Sequence, residues 1–379
     1  MKKTIQRLCV LLFLCTFLWG CGKEEETAFL ETQIRWDDLK PNDSMELAYA
    51  QQFTVDYYEG GYALINIKDS GHYLIVPEGM ETPTGLPENI TILKQPLDHI
   101  YLVATSAMDL FRALDGLDNI RLSGTDAEGW YIEEAKQAME DGKIVYAGKY
   151  SAPDYELILS EGCDLAIEST MIYHTPEVKE QLESFGIPVL VERSSYESHP
   201  LARLEWLKLY GVLLDKEDAA NQYFEEQVDS IQDILKEENT GKTVAFFYIN
   251  SNGIVNVRKS SDYVPKMIEM AGGKYIPENA GDENELSTMN MEMEAFYSQA
   301  READYLIYNS TIDAEITTIQ ELLGKSELLG DFKAVKEGKA CCARKNLYQE
   351  STGVGTLIKD FHKMLTEEEP NLSYLKKLQ

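Results

Sequence analysis

Polar and aromatic side chains that could hold a small molecule lie in or just after apolar, strand-like segments of this sequence. In open α/β sheets, ligands bind beyond the carboxyl ends of the strands. Aromatic surfaces with a few polar groups suit a bulky ligand, and an arginine in such a place can pair with an anion. For each residue the alternative is a loop side chain that contacts only water or its own backbone. The candidates for ligand binding are Ser106, Trp130, Tyr150, Ser169, Tyr173, Arg258 and Asn309.

The motifs of common hydrolases, metalloproteases and nucleotide-binding enzymes are missing from the sequence. It contains no G-x-S-x-G, H-E-x-x-H, P-loop or G-x-G-x-x-G pattern. The chain has only 5 histidines, and none lies beside a candidate nucleophile. His199 could be a haem ligand or a pH switch, but a histidine packed at a helix start is the more common arrangement. We therefore predict no catalytic residues, with an exported hydrolase as the alternative.

The cysteines beyond the amino-terminal segment do not form a recognisable framework. Cys163 lies in an apolar helix-to-strand turn, and Cys341 and Cys342 are adjacent. Their number and spacing are not typical of a disulfide scaffold. No histidine or further cysteine stands near the adjacent pair at the spacing of a metal site. We predict that all three are small buried side chains, and we predict neither a metal site nor a cofactor.

The charge balance excludes some classes of partner. The chain carries 65 acidic against 35 basic side chains, a formal net charge of −30. Binding to nucleic acid requires basic patches that neutralise phosphates. A polybasic contact with a membrane surface is disfavoured for the same reason. We therefore expect no nucleic-acid partner, and any attachment to a membrane would have to come from a lipid.

The amino terminus has the features of an export signal. The basic segment "MKKTIQR" precedes an apolar run over residues 8–19 that is too short to cross a bilayer as a helix. Gly20 and Cys21 close this run, which resembles the lipobox of bacterial lipoproteins. The resemblance implies a signal peptide over residues 1–20, an acylated Cys21 and a tether over 21–45. An exported protein, lipid-anchored to the outer face of the cytoplasmic membrane, is expected. The alternative is an uncleaved signal anchor.

The rest of the chain alternates between strand-like and helix-like segments. "FTVDYYEGGYALINI" predicts a β-hairpin around its Gly-Gly pair. Strands that alternate with helices predict parallel βαβ units. We assign residues 46–198 to an amino-terminal α/β lobe, 199–238 to a helical connector and 239–379 to a carboxyl-terminal α/β lobe that includes a final helix. Within the connector, one long helix over 216–238 is predicted, with Asp215 as its N-cap. The predicted fold is two Rossmann-like α/β lobes joined by this single helix, with a ligand cleft between them.

Five segments occur in an order that resembles a known family, across about residues 95–379. They resemble the substrate-binding lipoproteins of ABC importers, in the class that takes up iron–siderophores, haem and vitamin B12. The resemblance implies a monomer that binds a ferric chelate, haem or corrinoid between its lobes and delivers it to a membrane permease. A receptor that presents its ligand to a sensor is another alternative. The segments are "SAPDYELILSEGCDLAIEST", "LESFGIPVLV", "HPLARLEWLKLYGVLLDKEDAA", "DYVPKMIEMAGGKY" and "MEAFYSQAREADYLIYN".

The same resemblance suggests how such a permease would be recognised. In that family, one exposed glutamate on each lobe docks onto arginines of the permease. The motif match carries this role to Glu156 in the first lobe and to Glu294 in the second, with Glu292 as a competitor for the second position. Carboxylate–guanidinium pairs add geometric specificity as well as energy. The alternative for Glu156 is an acid that only complements the dipole of its helix.

Overall fold

The computed structural model describes residues 34–278, 287–367 and 371–379. The predicted signal peptide, Cys21 and most of the predicted tether lie outside these ranges. Within them, no helix combines the length and apolar character needed to cross a membrane. The chain forms three sheets of five or more strands, a two-stranded sheet of β9 and β10, and eleven α-helices in the described part. The strands are β1 (Pro41–Ser44), β2 (Phe53–Tyr58), β3 (Ala63–Ile67), β4 (Gly71–Val76), β5 (Ile90–Lys94), β6 (Ile100–Leu102), β7 (Ile120–Ser123), β8 (Val145–Tyr146), β9 (Gly148–Lys149), β10 (Ala152–Pro153), β11 (Leu165–Ser169), β12 (Val189–Glu192), β13 (Thr243–Ile249), β14 (Val255–Arg258), β15 (Lys274–Ile276), β16 (Thr288–Met291), β17 (Tyr305–Tyr308), β18 (Ala340–Ala343) and β19 (Leu375–Lys377).

The α-helices fall mostly between these strands, as the sequence pattern predicts. They are α1 (Met108–Ala113), α2 (Glu133–Glu140), α3 (Tyr155–Ser160), α4 (Pro176–Ser184), α5 (Pro200–Leu213), α6 (Glu217–Asp229), α7 (Tyr263–Met270), α8 (Met293–Ala300), α9 (Ile319–Leu323), α10 (Lys333–Lys336) and α11 (Val354–Thr366).

An amino-terminal sheet, β1 to β5, precedes the first lobe. Strands β1 to β4 form an antiparallel meander and β5 runs parallel to β4. The predicted hairpin is confirmed as β2 and β3, and Gly60 and Gly61 adopt the positive φ angles that its turn requires. One face of the sheet contributes Phe53, Val55 and Ile65 to the core of the first lobe. The sheet therefore belongs physically to that lobe.

The first lobe is built on a parallel sheet with the strand order β12-β11-β6-β7-β8. Strand β11, which lies between β12 and β6, is buried from Leu165 to Glu168, because both faces of a parallel sheet are covered. Leu165 and Ile167 join the core shared with the amino-terminal sheet, and Ala166 joins a second core on the opposite face. The alternation of strands and helices in this region is as predicted.

The second lobe contains a mixed sheet with the order β16-β14-β13-β17-β18-β19, and β15 also pairs with β13. Strands β15, β13, β17 and β18 are parallel, whereas the pairs β13–β14, β14–β16 and β18–β19 are antiparallel. Separate apolar cores cover the two faces of the sheet. Both lobes are therefore α/β units with parallel centres, which agrees with the predicted fold class.

The connector is helical, but the long helix predicted over 216–238 is shorter than expected. Two helices, α5 and α6, pack against each other, and α5 contributes Leu204 to the core of the second lobe and Leu207 to that of the first. Helix α6 ends at Asp229 rather than at residue 238. The regularly spaced apolar residues of the predicted helix stop packing on the core there, since Ile231 is buried but Leu235 is 39% exposed. Without packing on an apolar face, a helix of this kind loses most of its stabilisation.

The predicted N-cap of this helix is also wrong. Asp215 has a φ of 55°, a left-handed conformation that ends α5, and the cap position of α6 is held by Lys216. Left-handed residues just beyond a helix satisfy its last carbonyl groups. Asp215 therefore belongs to the end of one helix and not to the start of the next.

Candidate functional site

A recess runs between the two lobes beside the connector, and we refer to it as the interlobe cleft. Its inner part is a cavity of about 50 Å³ and its outer part has a volume of about 260 Å³; Ser195 and Arg203 line both. The inner part is lined by Ser106, Ser194, Tyr263, Met267, Tyr348 and Glu350, among others. The outer part is lined by Gln52, Lys68, Asp69, Arg193, Tyr196, Glu197, Ser261, Asp262 and Ser287, among others.

The residues on the first-lobe side of the cleft are positioned by the ends of strands. Ser106 follows β6, and Arg193 comes directly after β12. From the second lobe, Tyr263 begins α7 and Tyr348 lies in the segment that follows β18. The carboxyl ends of parallel strands from both sheets therefore border the cleft, which is where α/β sheets bind ligands.

Arg203, on helix α5, lies where the lobes meet. Its guanidinium stacks on the ring of Tyr263, with Cζ 3.5 Å from the ring centroid. It donates hydrogen bonds to the carbonyl oxygens of Glu197, at 3.0 Å, and Ser195, at 2.6 Å. Among the described residues, no carboxylate forms an ion pair with it. Arg203 therefore keeps an uncompensated positive charge at the cleft.

Arg193 is also incompletely neutralised. It is only 8% exposed, and its Nε is buried without a hydrogen-bond partner. Its Nη2 lies 3.6 Å from a carboxylate oxygen of Asp69, and its Cζ lies 4.3 Å from the ring centroid of Tyr196. Arg193 and Arg203 therefore place two incompletely paired positive charges at the cleft of a chain with a net charge of −30, beside the carboxylates of Asp69, Glu197 and Asp262 that also line it.

Arg258, by contrast, already has a carboxylate partner. Its Nε and Nη2 donate to the two carboxylate oxygens of Asp262, at 2.8 and 2.7 Å. The bidentate pair is buried, and the neighbouring Tyr348 and Asp262 raise the pKa of Arg258 although burial opposes this. Arg258 therefore stabilises the second-lobe wall of the cleft instead of presenting a free charge.

The tyrosines of the inner cavity are uncharged hydrogen-bonding groups. Burial raises the pKa values of Tyr263 and Tyr348 above the ordinary value for tyrosine. The Tyr348 hydroxyl accepts a hydrogen bond from Asn309 Nδ2 at 3.4 Å. Aromatic rings, protonated hydroxyl groups and a nearby guanidinium together suit a bulky, oxygen-rich anion.

Glu192 holds two serines in place on the first-lobe side of the inner cavity. Its carboxylate accepts the Ser194 backbone N–H at 2.8 Å and the Ser106 hydroxyl at 3.2 Å. Burial raises its pKa. Since Ser106 and Ser194 both line the cavity, Glu192 acts by positioning them.

The structure brings only some of the candidates from the sequence to this cleft. Ser106 lines it, and Asn309 is buried behind Tyr348, where it also bonds to Thr311. Ser169 accepts the Met171 backbone N–H in a turn, and Tyr150 lies half-buried between β9 and β10, away from the residues that line the cleft. Tyr173 is 45% exposed and donates its hydroxyl to the carbonyl oxygen of Asp69, next to the outer cleft.

Trp130 does not form an exposed wall of the cleft as predicted. It is 3% exposed and belongs to the apolar core of the first lobe. Its indole N–H lies 3.2 Å from both the Ser123 hydroxyl and the Thr125 carbonyl oxygen. Because the loop satisfies this polar group internally, the ring can be buried at little cost.

His199 acts as a helix cap in this structure. Its Nδ1 accepts the backbone N–H of Leu201, and its ring stacks on Tyr49 with centroids 4.8 Å apart. Burial lowers its pKa. Packing at a helix start, the more common alternative, therefore describes His199.

A segment of the second lobe is tied to the first lobe beside the cleft. The side chain of Gln349 donates to the Gly129 carbonyl oxygen at 2.8 Å and accepts the Tyr131 backbone N–H at 2.7 Å. Two residues further on, the Ser351 hydroxyl donates to the Ser106 carbonyl oxygen at 2.7 Å. These bonds hold the two lobes together next to the ligand candidates.

Glu156 and Glu294 occupy equivalent places in the two lobes. Each is exposed and is the second residue of its helix, α3 or α8. Each helix leads into a parallel strand, β11 or β17. Directly before those strands, Asp164 accepts the His99 backbone N–H and Asp304 accepts that of Thr243. Glu292 is the N-cap residue of α8 and so corresponds to Asp154 of α3. The structural counterpart of Glu156 is therefore Glu294.

The cysteines that the structure describes are unpaired thiols. Cys341 and Cys342 are buried on β18, and Cys163 is partly buried. Burial raises the pKa values of Cys163 and Cys341 to about 12. In the described ranges, no group of three or more His, Cys, Asp or Glu side chains has the geometry to hold a metal ion.

Comparisons with known proteins agree with this architecture. A family model described as periplasmic binding protein matches residues 104–346. An uncharacterised lipoprotein of Methanocaldococcus jannaschii is 23% identical over 381 aligned residues, which cover 92% of this chain and 89% of the relative.

A periplasmic haem-binding protein from Pseudomonas aeruginosa has a TM-score of 0.57 at 16% identity, covering 74% of this chain and 98% of that one. A petrobactin-binding protein from Bacillus subtilis has a TM-score of 0.57 at 15% identity, covering 72% of this chain and 93% of its own. At these identities the structures show a shared fold. With its two α/β lobes and a family match over most of both, the chain belongs to the periplasmic binding protein family.

Proposed function

We propose that this protein is an extracytoplasmic solute-binding lipoprotein that captures an iron–siderophore, haem or corrinoid-type ligand in the interlobe cleft and delivers it to the permease of an ABC importer. The observation that carries the proposal is the pair Arg203 and Tyr263. A guanidinium without a carboxylate partner stacks on a buried aromatic ring between the lobes of an otherwise acidic protein. Such a pair offers charge, donors and an aromatic surface to one ligand.

The chemistry of the cleft favours an anionic chelate within this group, because the Arg203 guanidinium and the protonated hydroxyl groups of Tyr263 and Tyr348 meet there. The names of the similar solved proteins, which bind haem or petrobactin, point to the same class of cargo. Anchoring through Cys21 is supported by the lipobox resemblance and by the description of the relative from M. jannaschii as a lipoprotein.

The proposal is tested by calorimetric titration of the mature chain with four probes. These are a trianionic ferric tris-catecholate, haemin, an uncharged ferric tris-hydroxamate and cyanocobalamin. We expect saturable binding of one ligand per chain, strongest for an anionic probe. Arg203→Gln should weaken that binding by about tenfold or more, because a desolvated charge pair is lost.

Arg301→Gln is the matched control. Arg301 also lies over a tyrosine ring, that of Tyr297, at 5.7 Å, but it is exposed on the surface of the second lobe and pairs with Glu302. Its loss should leave the affinity unchanged. Failure of the wild-type chain to bind any of the four probes would refute the proposed cargo class. Equal affinities for Arg203→Gln and wild type would refute the role of the cleft.

A further inference from the structure

The turn between β3 and β4, residues Lys68, Asp69 and Ser70, reaches the outer part of the interlobe cleft. Lys68 and Asp69 line it together with Gln52, which precedes β2. All of these residues belong to the amino-terminal sheet and precede residue 104, where the family match begins. A part of this chain outside the matched region therefore contributes to the wall of the cleft.

The turn is held firmly against the first lobe. The Ser70 hydroxyl donates to the carbonyl oxygen of Val191, and the Tyr73 hydroxyl donates to that of Val189, each at 3.1 Å. The Tyr173 hydroxyl donates to the carbonyl oxygen of Asp69 at 3.2 Å. Side chains of the turn are thus presented from a fixed backbone beside the end of β12.

Gln52 is fixed in the same way. Its backbone N–H and that of Gln51 both donate to Glu197 Oε1 at 2.9 Å. The same oxygen accepts the indole N–H of Trp206 at 3.1 Å, and Glu197 is only 3% exposed. This buried carboxylate therefore sets where the Gln52 side chain enters the cleft.

Two polar atoms that line the outer cleft have no partner. Arg193 Nε is a buried donor and Gln52 Oε1 is a buried acceptor, and neither forms a hydrogen bond. Leaving such groups unsatisfied costs about 1–3 kcal/mol each. A ligand oxyanion can accept a hydrogen bond from Arg193 Nε, whereas Gln52 Oε1 can be satisfied only by a donor, such as a hydroxyl group of the same ligand.

The charges around these atoms agree with that chemistry. The single carboxylate that pairs with Arg193 among the described residues is Asp69, at 3.6 Å, and the Asp69 side chain is 67% exposed. The exposed Lys68 stands next to it, and in the described ranges it forms no ion pair with a carboxylate. The turn thus supplies one cation and one weakly held counter-ion to the same recess.

We infer that Lys68 and Arg193 form an anion subsite for an oxyanion carried by the cargo, with Gln52 beside it as an acceptor for a ligand donor, and that Asp69 is the intramolecular counter-ion which this oxyanion displaces. The inference rests on the proposed function, because it assigns a second contact region to the same ligand. It makes the amino-terminal sheet part of the binding site and a determinant of selectivity for charged over neutral cargo.

The full mature chain is titrated with the trianionic ferric tris-catecholate and with the uncharged ferric tris-hydroxamate. Lys68→Gln should weaken binding of the trianion by about two- to fivefold, as expected for an exposed charge, and Arg193→Gln should weaken it by about tenfold or more. Asp69→Asn should strengthen it by about two- to fivefold, because the competing carboxylate is lost. Asparagine suits the left-handed backbone of Asp69, whose φ is 52°.

The opposite signs of the changes at neighbouring residues separate this subsite from a structural role, since damage to the turn would weaken binding in both variants. Lys94→Gln is the matched control, because Lys94 is an exposed lysine at the end of β5 in the same sheet. If the wild type binds the trianion but Lys68→Gln and Asp69→Asn leave the affinity unchanged, this inference alone is wrong. If the wild type binds neither chelate nor the other probes, the proposed function fails and the subsite with it.

Discussion

Thr352 donates both its backbone N–H and its hydroxyl hydrogen to the same carboxylate oxygen of Asp109, at 2.7 and 2.6 Å. The two residues belong to different lobes, and Asp109 is fully buried. The other carboxylate oxygen accepts Arg112 Nε at 2.7 Å. Beside the connector, the lobes are therefore joined by the buried Asp109 carboxylate, which accepts hydrogen bonds from residues of both lobes.

Removing this carboxylate should destabilise the whole protein. Asp109→Ala leaves two buried donors on Thr352 and the Arg112 guanidinium without their acceptor, which we expect to lower the free energy of unfolding by about 3 kcal/mol. Urea denaturation followed by circular dichroism measures the change. Asp118→Ala, at an exposed aspartate of the same lobe, is the control. Equal unfolding midpoints for the two variants would contradict the role of the contact.

Charge reversal at the equivalent glutamates should separate delivery from binding. Glu156→Arg and Glu294→Arg should each lower uptake of the bound probe into native host cells by about tenfold or more, since the proposed carboxylate–guanidinium pair with the permease would be replaced by repulsion. Affinity for the probe should stay unchanged, because both residues are exposed and do not line the cleft.

Glu180→Arg, on α4, and Glu292→Arg, at the N-cap of α8, are the controls for this experiment. Both should transport normally. Loss of uptake in Glu292→Arg together with normal uptake in Glu294→Arg would assign the docking role to Glu292 instead of Glu294. Normal uptake in all four variants would favour a receptor that does not meet a permease.

Glu168 should make stability depend on pH. It is fully buried on β11, both of its carboxylate oxygens lack partners, and burial raises its pKa from 4.5 to about 8. Between pH 4.5 and pH 8, Glu168 holds a proton in the folded chain but releases it in the unfolded chain. The free energy of unfolding is therefore not reduced by this group below about pH 4.5, and it falls as the pH rises to 8. Relative to wild type, Glu168→Gln should gain on the order of 3 kcal/mol between pH 5 and pH 8.

Urea midpoints measured at both pH values test this expectation. Glu177→Gln, at an exposed glutamate that begins α4, should follow the wild type at both. A difference between Glu168→Gln and wild type that does not grow with pH would show that the buried carboxyl is ionised throughout.

The thiols should be unreactive in the folded protein. In a mature chain that starts at an acylated Cys21, the remaining cysteines are Cys163, Cys341 and Cys342. Burial raises their pKa values, and thiolates are the reactive species. We expect no release of thionitrobenzoate from Ellman's reagent at pH 8 within minutes, and full reaction in urea. Rapid labelling without denaturant would contradict the packing of β18 and of the turn at Cys163.

Much of the fold could be predicted because its parallel strands are short apolar runs. "LAIE" at β11 is buried on both faces and so carries a strong local signal. The end of α6 was predicted wrongly because Leu235 continues the apolar spacing of the sequence although no core lies beneath it. Periodicity reports which side chains could be buried together, whereas only tertiary packing decides where the helix ends.

The site was harder to predict, because its contacts join distant parts of the chain. Arg203 was visible only as a residue near His199, and its contact with Tyr263 depends on how the two lobes pack. Trp130 illustrates the opposite error: an aromatic residue in a loop resembles a ligand wall, but its indole N–H is satisfied by Ser123 at the end of β7 and Thr125 in the loop, so the ring can be buried. Arg193 was identifiable from its position directly after β12.

The contrast between the acidic chain and its arginine-lined cleft has a kinetic consequence. An anionic cargo approaches a protein of net charge −30, so the long-range field opposes the encounter, whereas Arg193 and Arg203 attract the cargo only at short range. At physiological ionic strength the Debye length is about 8 Å, so salt screens the repulsion more than the partly buried attraction. Added salt should therefore increase the association rate constant for such a cargo. This is the reverse of the behaviour of electrostatically steered complexes.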